Sequence, residues 1–293
     1  MRRRTWRLVA MLAPAMTVVV LLFGGGLVYG FVRSLGWQPL IGSTDVSLRA
    51  YSNILTSARY AEQFWAGLGL SLWISLASTA LSAALAVAAA LLIRSTRRGQ
   101  RVSVFLFQLN LPIPHIVAAV GILFLLSQSG LVSRLGAQLG LLDSPSDFPV
   151  LVRDRRGIGI ILSYVWKEVP FIGVIVLAVL QSLSRDYEEI ARNLGANAWQ
   201  RFVYVILPLI APALLSTSII VFAFTFGAFE VPGVLGVRYP RVLPVLALRF
   251  FTDADLNARA EAMAVSMIIT VIVMALVAAY MQLTRRDRGR NGA

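Results

Sequence analysis

Long apolar runs separated by short polar clusters organise this sequence. Charged residues are absent from Leu8 to Val32, Gln63 to Ile93, Val102 to Ser133, Val169 to Ser184, Phe202 to Phe229 and Ala262 to Thr284. All but the fourth exceed the ~20 residues that an α-helix needs to cross ~30 Å of hydrocarbon. The fourth reaches that length if it extends back to Gly157 past Lys167 and Glu168. The pattern predicts six membrane-spanning helices, at about 8–32, 64–93, 102–127, 157–183, 208–229 and 260–283. The first run is too long for a signal peptide and no A-x-A site closes it, so it reads as an uncleaved helix. In the second, SLWISLASTALSAALAVAAALL presents small residues that let helices approach closely in lipid. In the third, Pro112 and Pro114 remove backbone donors near mid-membrane, a break that needs protein or a water-lined cavity around it. Short helices are expected near 131–141 and at LPVLALRFF between the last two spans.

Composition agrees with this pattern. Hydrophobic residues make up 58% of the 293, against about 45–50% in a soluble domain. With six spans both ends lie on one side, together with Arg94, Arg97, Arg98 and Arg101, and with Arg185, Arg192 and Arg201. That side also holds Arg2, Arg3, Arg4 and Arg7 and Arg285, Arg286, Arg288 and Arg290, and so nearly all of the net charge of +13. The positive-inside rule makes it cytoplasmic. The arginines sit at helix ends, so the basic balance reflects topology and anionic lipid, and nucleic-acid binding is a poor reading. The chain has no cysteine and one histidine, which excludes a disulfide framework and a Cys or His metal cluster. Its only lysine, Lys167, follows Val165 and Trp166, so there is no G-x-x-x-x-G-K-[ST] nucleotide loop.

The longest polar passage on the inner side is RDYEEIARNLGANAWQRFVYVILPLIAP, 185–212. It reads as two short helices with a hinge. Asp186 and Glu189 have capping-box spacing, and Asp186, Glu188 and Glu189 suit the positive helix end. Gly195 falls where a helix ends in a left-handed residue. Asn197 and Gln200 repeat the capping spacing, and Leu207-Pro208 is expected to kink or end the second helix.

Glu189, Ala191, Gly195, Val205, Leu207 and Pro208 stand as E-x-A-x-x-x-G-x9-V-x-L-P. This resembles the cytoplasmic EAA loop of permease subunits of ATP-binding-cassette (ABC) importers, with Ile190 where the family has Ala and Val205 where it usually has Ile. Ser71-Leu72 resembles the start of the first core helix of that fold. The resemblance implies an all-α integral membrane protein with a type I ABC importer permease (MetI-like) core and one extra N-terminal helix. Its division would be 1–63, an N-terminal helix and outer loop; 64–283, the permease core with a cytoplasmic coupling loop at 184–207; and 284–293, a basic tail. It further implies a multi-pass protein of the bacterial inner membrane with both termini cytoplasmic. It would have no cofactor of its own, two partner ATPase subunits carrying ATP and Mg, a second permease subunit and an extracytoplasmic binding protein. The coupling residues would be Asp186, Glu188, Glu189, Ala191, Gly195, Leu207 and Pro208, and Gly195→Asp is expected to abolish uptake without preventing insertion.

Candidate substrate-path residues are Pro112, His115, Trp166, Lys167, Glu168, Phe226 and Glu230. Ionisable groups inside a membrane mark pathways by default. Packing for His115, snorkelling for Lys167 and Glu168, and an aromatic belt for Phe222, Phe224, Phe226 and Phe229 fit the sequence equally. Lys167 and Glu168 point about 100° apart on a helix, so each needs a separate partner or a wet cavity. The acids hint at a small cation, and the block VFAFTFGAFEVPGVLG resembles the corresponding region of permeases in the polyamine, iron and thiamine branches, so that a polyamine is among the substrates the resemblance implies. The alternative is a stand-alone ion-coupled transporter or channel, for which only Glu168 and Glu230 are available as intramembrane acids. An intramembrane enzyme fits worse: Ser127 and His115 would lie about 18 Å apart along one helix.

Overall fold

The computed structural model describes residues 2–39, 42–96, 99–182 and 186–290, without the side chains of 2–5, 7, 8, 186 and 283–290. Arg97, Arg98 and Arg185 of the inner arginine set therefore lie outside the described residues, as do the side chains of Arg2–4, Arg7, Asp186 and the arginines of the basic tail. Among the described residues the chain forms helices and no strand, apart from one isolated bridge between Gln38 and Ser43.

The helices are α1 (Arg2–Val18), α2 (Gly25–Ser34), α3 (Arg49–Thr56), α4 (Ala61–Ser95), α5 (Gln100–Gln108), α6 (His115–Leu126) and α7 (Leu131–Gln138). Beyond them come α8 (Ile158–Ser182), α9 (Asp186–Asn193), α10 (Ala198–Arg201), α11 (Leu207–Gly227), α12 (Glu230–Leu235), α13 (Leu243–Phe251) and α14 (Ala258–Arg290). Six helical stretches are long and apolar enough to span a membrane: Val9–Ser34, Ala61–Ser95, His115–Gln138, Ile158–Ser182, Ala198–Gly227 and Ala258–Gln282.

Two spans differ from the sequence expectation. The third is broken: α5 stops at Gln108, and a helix resumes only at His115. Pro114 has ψ 143°, an extended conformation outside the helix, and a residue preceding proline is itself pushed out of the helical region. The fifth begins before 208, at Ala198, because the second short helix of the polar loop does not end at Leu207-Pro208. A π-helical turn, Phe202–Ile206, joins α10 to α11 in one helical stretch, and Pro208 follows that turn inside it, where the local change of hydrogen-bond register accommodates the missing donor.

The chain forms two compact units. One comprises Met1–Trp65 and Leu243–Ile272. Ile54, Phe64, Leu243, Leu246 and Phe250 are buried there, and Tyr60 meets Phe250 edge-on at 5.2 Å. Asn53 donates to Glu261 at 2.8 Å. The other comprises Ala66–Val242 and Val273–Ala293. Its core joins Ala86, Val87, Ala90 and Ile93 of α4 to Ile172, Val176, Leu177 and Leu180 of α8 and Ile210 and Val221 of α11. In lipid such contacts gain from dispersion and close approach, because the surroundings are as apolar as the side chains. Gly173 illustrates this: a Cβ there would lie 2.6 Å from the Phe107 ring.

Candidate functional site

The polar residues singled out in the sequence gather at two places in the second unit. The first is the break in the third span, which α8 grips with three consecutive residues. Pro114 has no N–H to offer the Asn110 carbonyl four residues earlier, and the chain leaves the helix before Leu111 and Ile113 find partners. Lys167 supplies them. Its Nζ donates to the carbonyl oxygens of Asn110 at 2.8 Å, Ile113 at 2.7 Å and Leu111 at 3.4 Å. Three ammonium donors thus meet three carbonyls of the break. The exchange is reciprocal. Pro170, inside α8, cannot bond the Trp166 carbonyl, and the Asn110 side-chain amide donates to it instead. Glu168 completes the grip through its Oε1, 2.9 Å from His115 Nε2 at the first residue of α6.

Lys167 and Glu168 are both buried, whereas the His115 side chain retains 27% exposure. Its ring lies 4.7 Å from that of Phe224, which is 41% exposed. The Phe224 and Tyr164 rings meet edge to face. Pro112 is exposed in the break, the Trp166 ring is exposed, and Glu230 is exposed at the start of α12. Phe226 is buried and stacks on Phe222 at 5.6 Å, inside the core. Sequence reasoning misses Asn110 as a site residue and prefers Phe226 to Phe224. A signal for Asn110 exists in the sequence: a proline four residues after it, and another four residues after Trp166.

The second place is the polar loop between α8 and α11. Helix α9 ends at Asn193, and Gly195 comes two residues later with φ +86°. Gly195 N–H bonds the Arg192 carbonyl and Ala196 N–H the Ala191 carbonyl, both at 3.0 Å, closing the helix end with a left-handed turn. A capping box then opens α10: Asn197 Oδ1 accepts from Gln200 N–H at 2.9 Å, and Gln200 Oε1 from Asn197 N–H at 2.8 Å. Tyr187, Ile190 and Leu194 are exposed apolar residues on or just beyond α9. Glu189 is exposed, Ala191 and Leu207 are half-buried, and Pro208 is exposed. Glu188 does not face solvent freely; it pairs with Arg94 of α4 at 2.5 Å.

The sequence profile of the family described as binding-protein-dependent transport system inner membrane component matches residues 80–285. The probable ABC transporter permease protein y4oQ of Sinorhizobium fredii is 31% identical over 76% of this chain and 68% of its own. The inner membrane ABC transporter permease protein YcjO of Escherichia coli is 28% identical over 96% of this chain and 94% of its own. Among solved structures, a chain of a bacterial ABC transporter involved in the import of the acidic polysaccharide alginate superposes with TM-score 0.79. It is 21% identical, over 97% of this chain and 96% of that one. A chain of the MetNI methionine ABC transporter has TM-score 0.56 at 18% identity, covering 99% of itself but 79% of this chain. The six apolar helices, the polar inner loop and these matches converge: this chain belongs to the binding-protein-dependent transport system inner membrane component family, as a multi-pass permease subunit of an ABC transporter.

Proposed function

We propose that this chain pairs with a second permease to form the substrate path of an ATP-driven importer, and that α9 and the turn at Gly195 are the part that two cytoplasmic ATPases engage. The observation that carries this reading is α9 itself: a short inner helix bearing exposed Tyr187 and Ile190, with Leu194 beyond it, closed by a left-handed glycine. In water such a helix is too short to be stable alone, and its apolar side chains fit a groove on a partner. The coupling set is Asp186, Glu188, Glu189, Ala191, Gly195, Leu207 and Pro208, within a core of 64–283. ATP and Mg belong to the ATPases, an extracytoplasmic binding protein delivers substrate, and both termini are cytoplasmic.

The path-facing group of this half is His115 with Phe224. A partly open imidazole bonded to a carboxylate is costly against lipid, so its open side favours a water-lined path or a second chain. Of the acids behind the cation expectation, Glu168 is bonded to His115, which weakens it as a cation site, and Glu230 is exposed at the start of α12. The engagement of Glu168 equally weakens the stand-alone ion-coupled alternative. Relatives matched along most of both chains point elsewhere. The trehalose/maltose transport system permease protein MalF of Thermococcus litoralis is 26% identical over 83% of this chain and 81% of its own. We therefore assign a carbohydrate, whose hydroxyls suit His115 and whose C–H faces suit Phe224.

The experiment is co-purification in mild detergent with the neighbouring gene products, then a ligand screen of the co-encoded binding protein. An ATPase that co-elutes, and a binding protein that takes up an oligosaccharide, support the reading. A chain that elutes alone and exchanges ions in liposomes overturns it. A binding protein selective for polyamines overturns the carbohydrate assignment alone.

A further inference from the structure

We propose that Arg94 is a positioning residue for transport: it ties α9 to the inner end of the second span, so that motion of α9 reaches α4 through one ion pair. The proposal rests on the reading of α9 as the ATPase-facing helix and adds a route by which its motion leaves it. Among the described residues, Glu188 to Arg94 is the one side-chain hydrogen bond that joins α9 to another element. The chain connection after α9 runs through the hydrogen-bonded left-handed turn at Gly195 into α10, so one route for a push on α9 leads along the backbone toward α11. The ion pair gives the same push a separate route, into α4, by a short charge-assisted bond to the last turn of a 35-residue helix.

Burial supports the assignment. The Arg94 side chain is only 13% exposed, so its guanidinium is held in place and its pairing is screened less than a surface pair. It lies in a cleft of about 330 Å3 that Glu188, Glu189, Arg192 and Arg201 also line. These neighbours set the consequence of removing Arg94. Arg192 is four residues from Glu188 on α9, the spacing of an intrahelical pair. It takes over the carboxylate, so α9 stays neutralised and folded but is released from α4. A role in folding alone and a role in transmission therefore separate.

The chain has no cysteine, so Leu91→Cys, in the same cleft, supplies one reporter thiol in this chain, and labelling is read on this chain after it is separated from its partners. In the assembled transporter, purified with its co-expressed ATPase and placed in nanodiscs, maleimide labelling is timed with and without a non-hydrolysable ATP analogue. The analogue is expected to change the labelling rate. Arg94→Ala should cut that change by roughly 3- to 30-fold while the ATPase still co-purifies and hydrolyses ATP. Arg94→Lys should keep part of it, and Arg94→Glu combined with Glu188→Arg should restore it. A full response in Arg94→Ala, or a charge swap that restores nothing, overturns the tie alone. Failure of any ATPase to co-purify with the unsubstituted chain overturns the reading of α9, and the tie with it.

Discussion

Lys167 is an ammonium whose donors are occupied by backbone. A lysine inside a span invites the expectation of a substrate or an ion partner, yet here its three donors go to Asn110, Leu111 and Ile113. Lys167→Met leaves the Leu111 and Ile113 carbonyls without a donor, while Asn110 keeps the Ile113 N–H. A buried acceptor left unsatisfied costs about 1–3 kcal/mol, so the variant should unfold at lower temperature in detergent. An unchanged melting temperature would remove Lys167 from this role. Gly195 makes a second prediction at this scale. The left-handed conformation costs roughly 1–2 kcal/mol for most residues and less for Asn. Nothing crowds its Cβ position within the chain, so Gly195→Asn should keep ATP-driven uptake and Gly195→Val should lose most of it. Equal activity of the two would show that the backbone angle is not the constraint. Gly195→Asp then tests the fit to the partner more than the turn.

At the scale of elements, the inner loop is largely legible in the sequence. The Asn197 and Gln200 spacing and the glycine two residues earlier are local signals, and the capping bonds and the left-handed turn stand at those positions. Asn197→Ala removes the acceptor for Gln200 N–H. It should cost about 0.5–2 kcal/mol, read as faster hydrogen exchange at 198–201 than in the unsubstituted protein. Exchange that does not change would mean that the π-turn and α11 hold this end without the cap. The third and fifth spans are less legible. Prolines announce a disturbance in each, but the sequence does not say whether a helix stops or continues. In the third span α8 carries donors that stabilise the break; in the fifth a π-turn carries the helix through. That outcome depends on what lies alongside, which no local pattern encodes.

At the scale of the molecule, six apolar stretches and the distribution of arginine predict a topology with both ends inside. Cysteines introduced singly near either terminus should resist a membrane-impermeant maleimide in intact cells and react once the membrane is opened. Reaction of either in intact cells would reverse the orientation. The methionine transporter chain is covered almost entirely while about a fifth of this chain is left over, and the alginate transporter chain is matched nearly end to end.

The sequence by itself determined how many apolar helices the chain can pass through a membrane, where the polar inner loop lies, how that loop caps its helices, and to which family it points. Each of these is written in neighbouring residues: hydropathy over a span, capping at three-residue spacing, a glycine at a helix end. Only the tertiary structure decided that Lys167 serves the backbone 57 positions earlier, that Glu168 holds His115, that Phe224 and not Phe226 lies against that histidine, and that Glu188 reaches Arg94. The reason is physical. Which face of one helix meets which face of another depends on the register and close approach of packed helices, set by small residues such as Gly173 against Phe107, and a linear pattern of apolar residues fits many registers equally well.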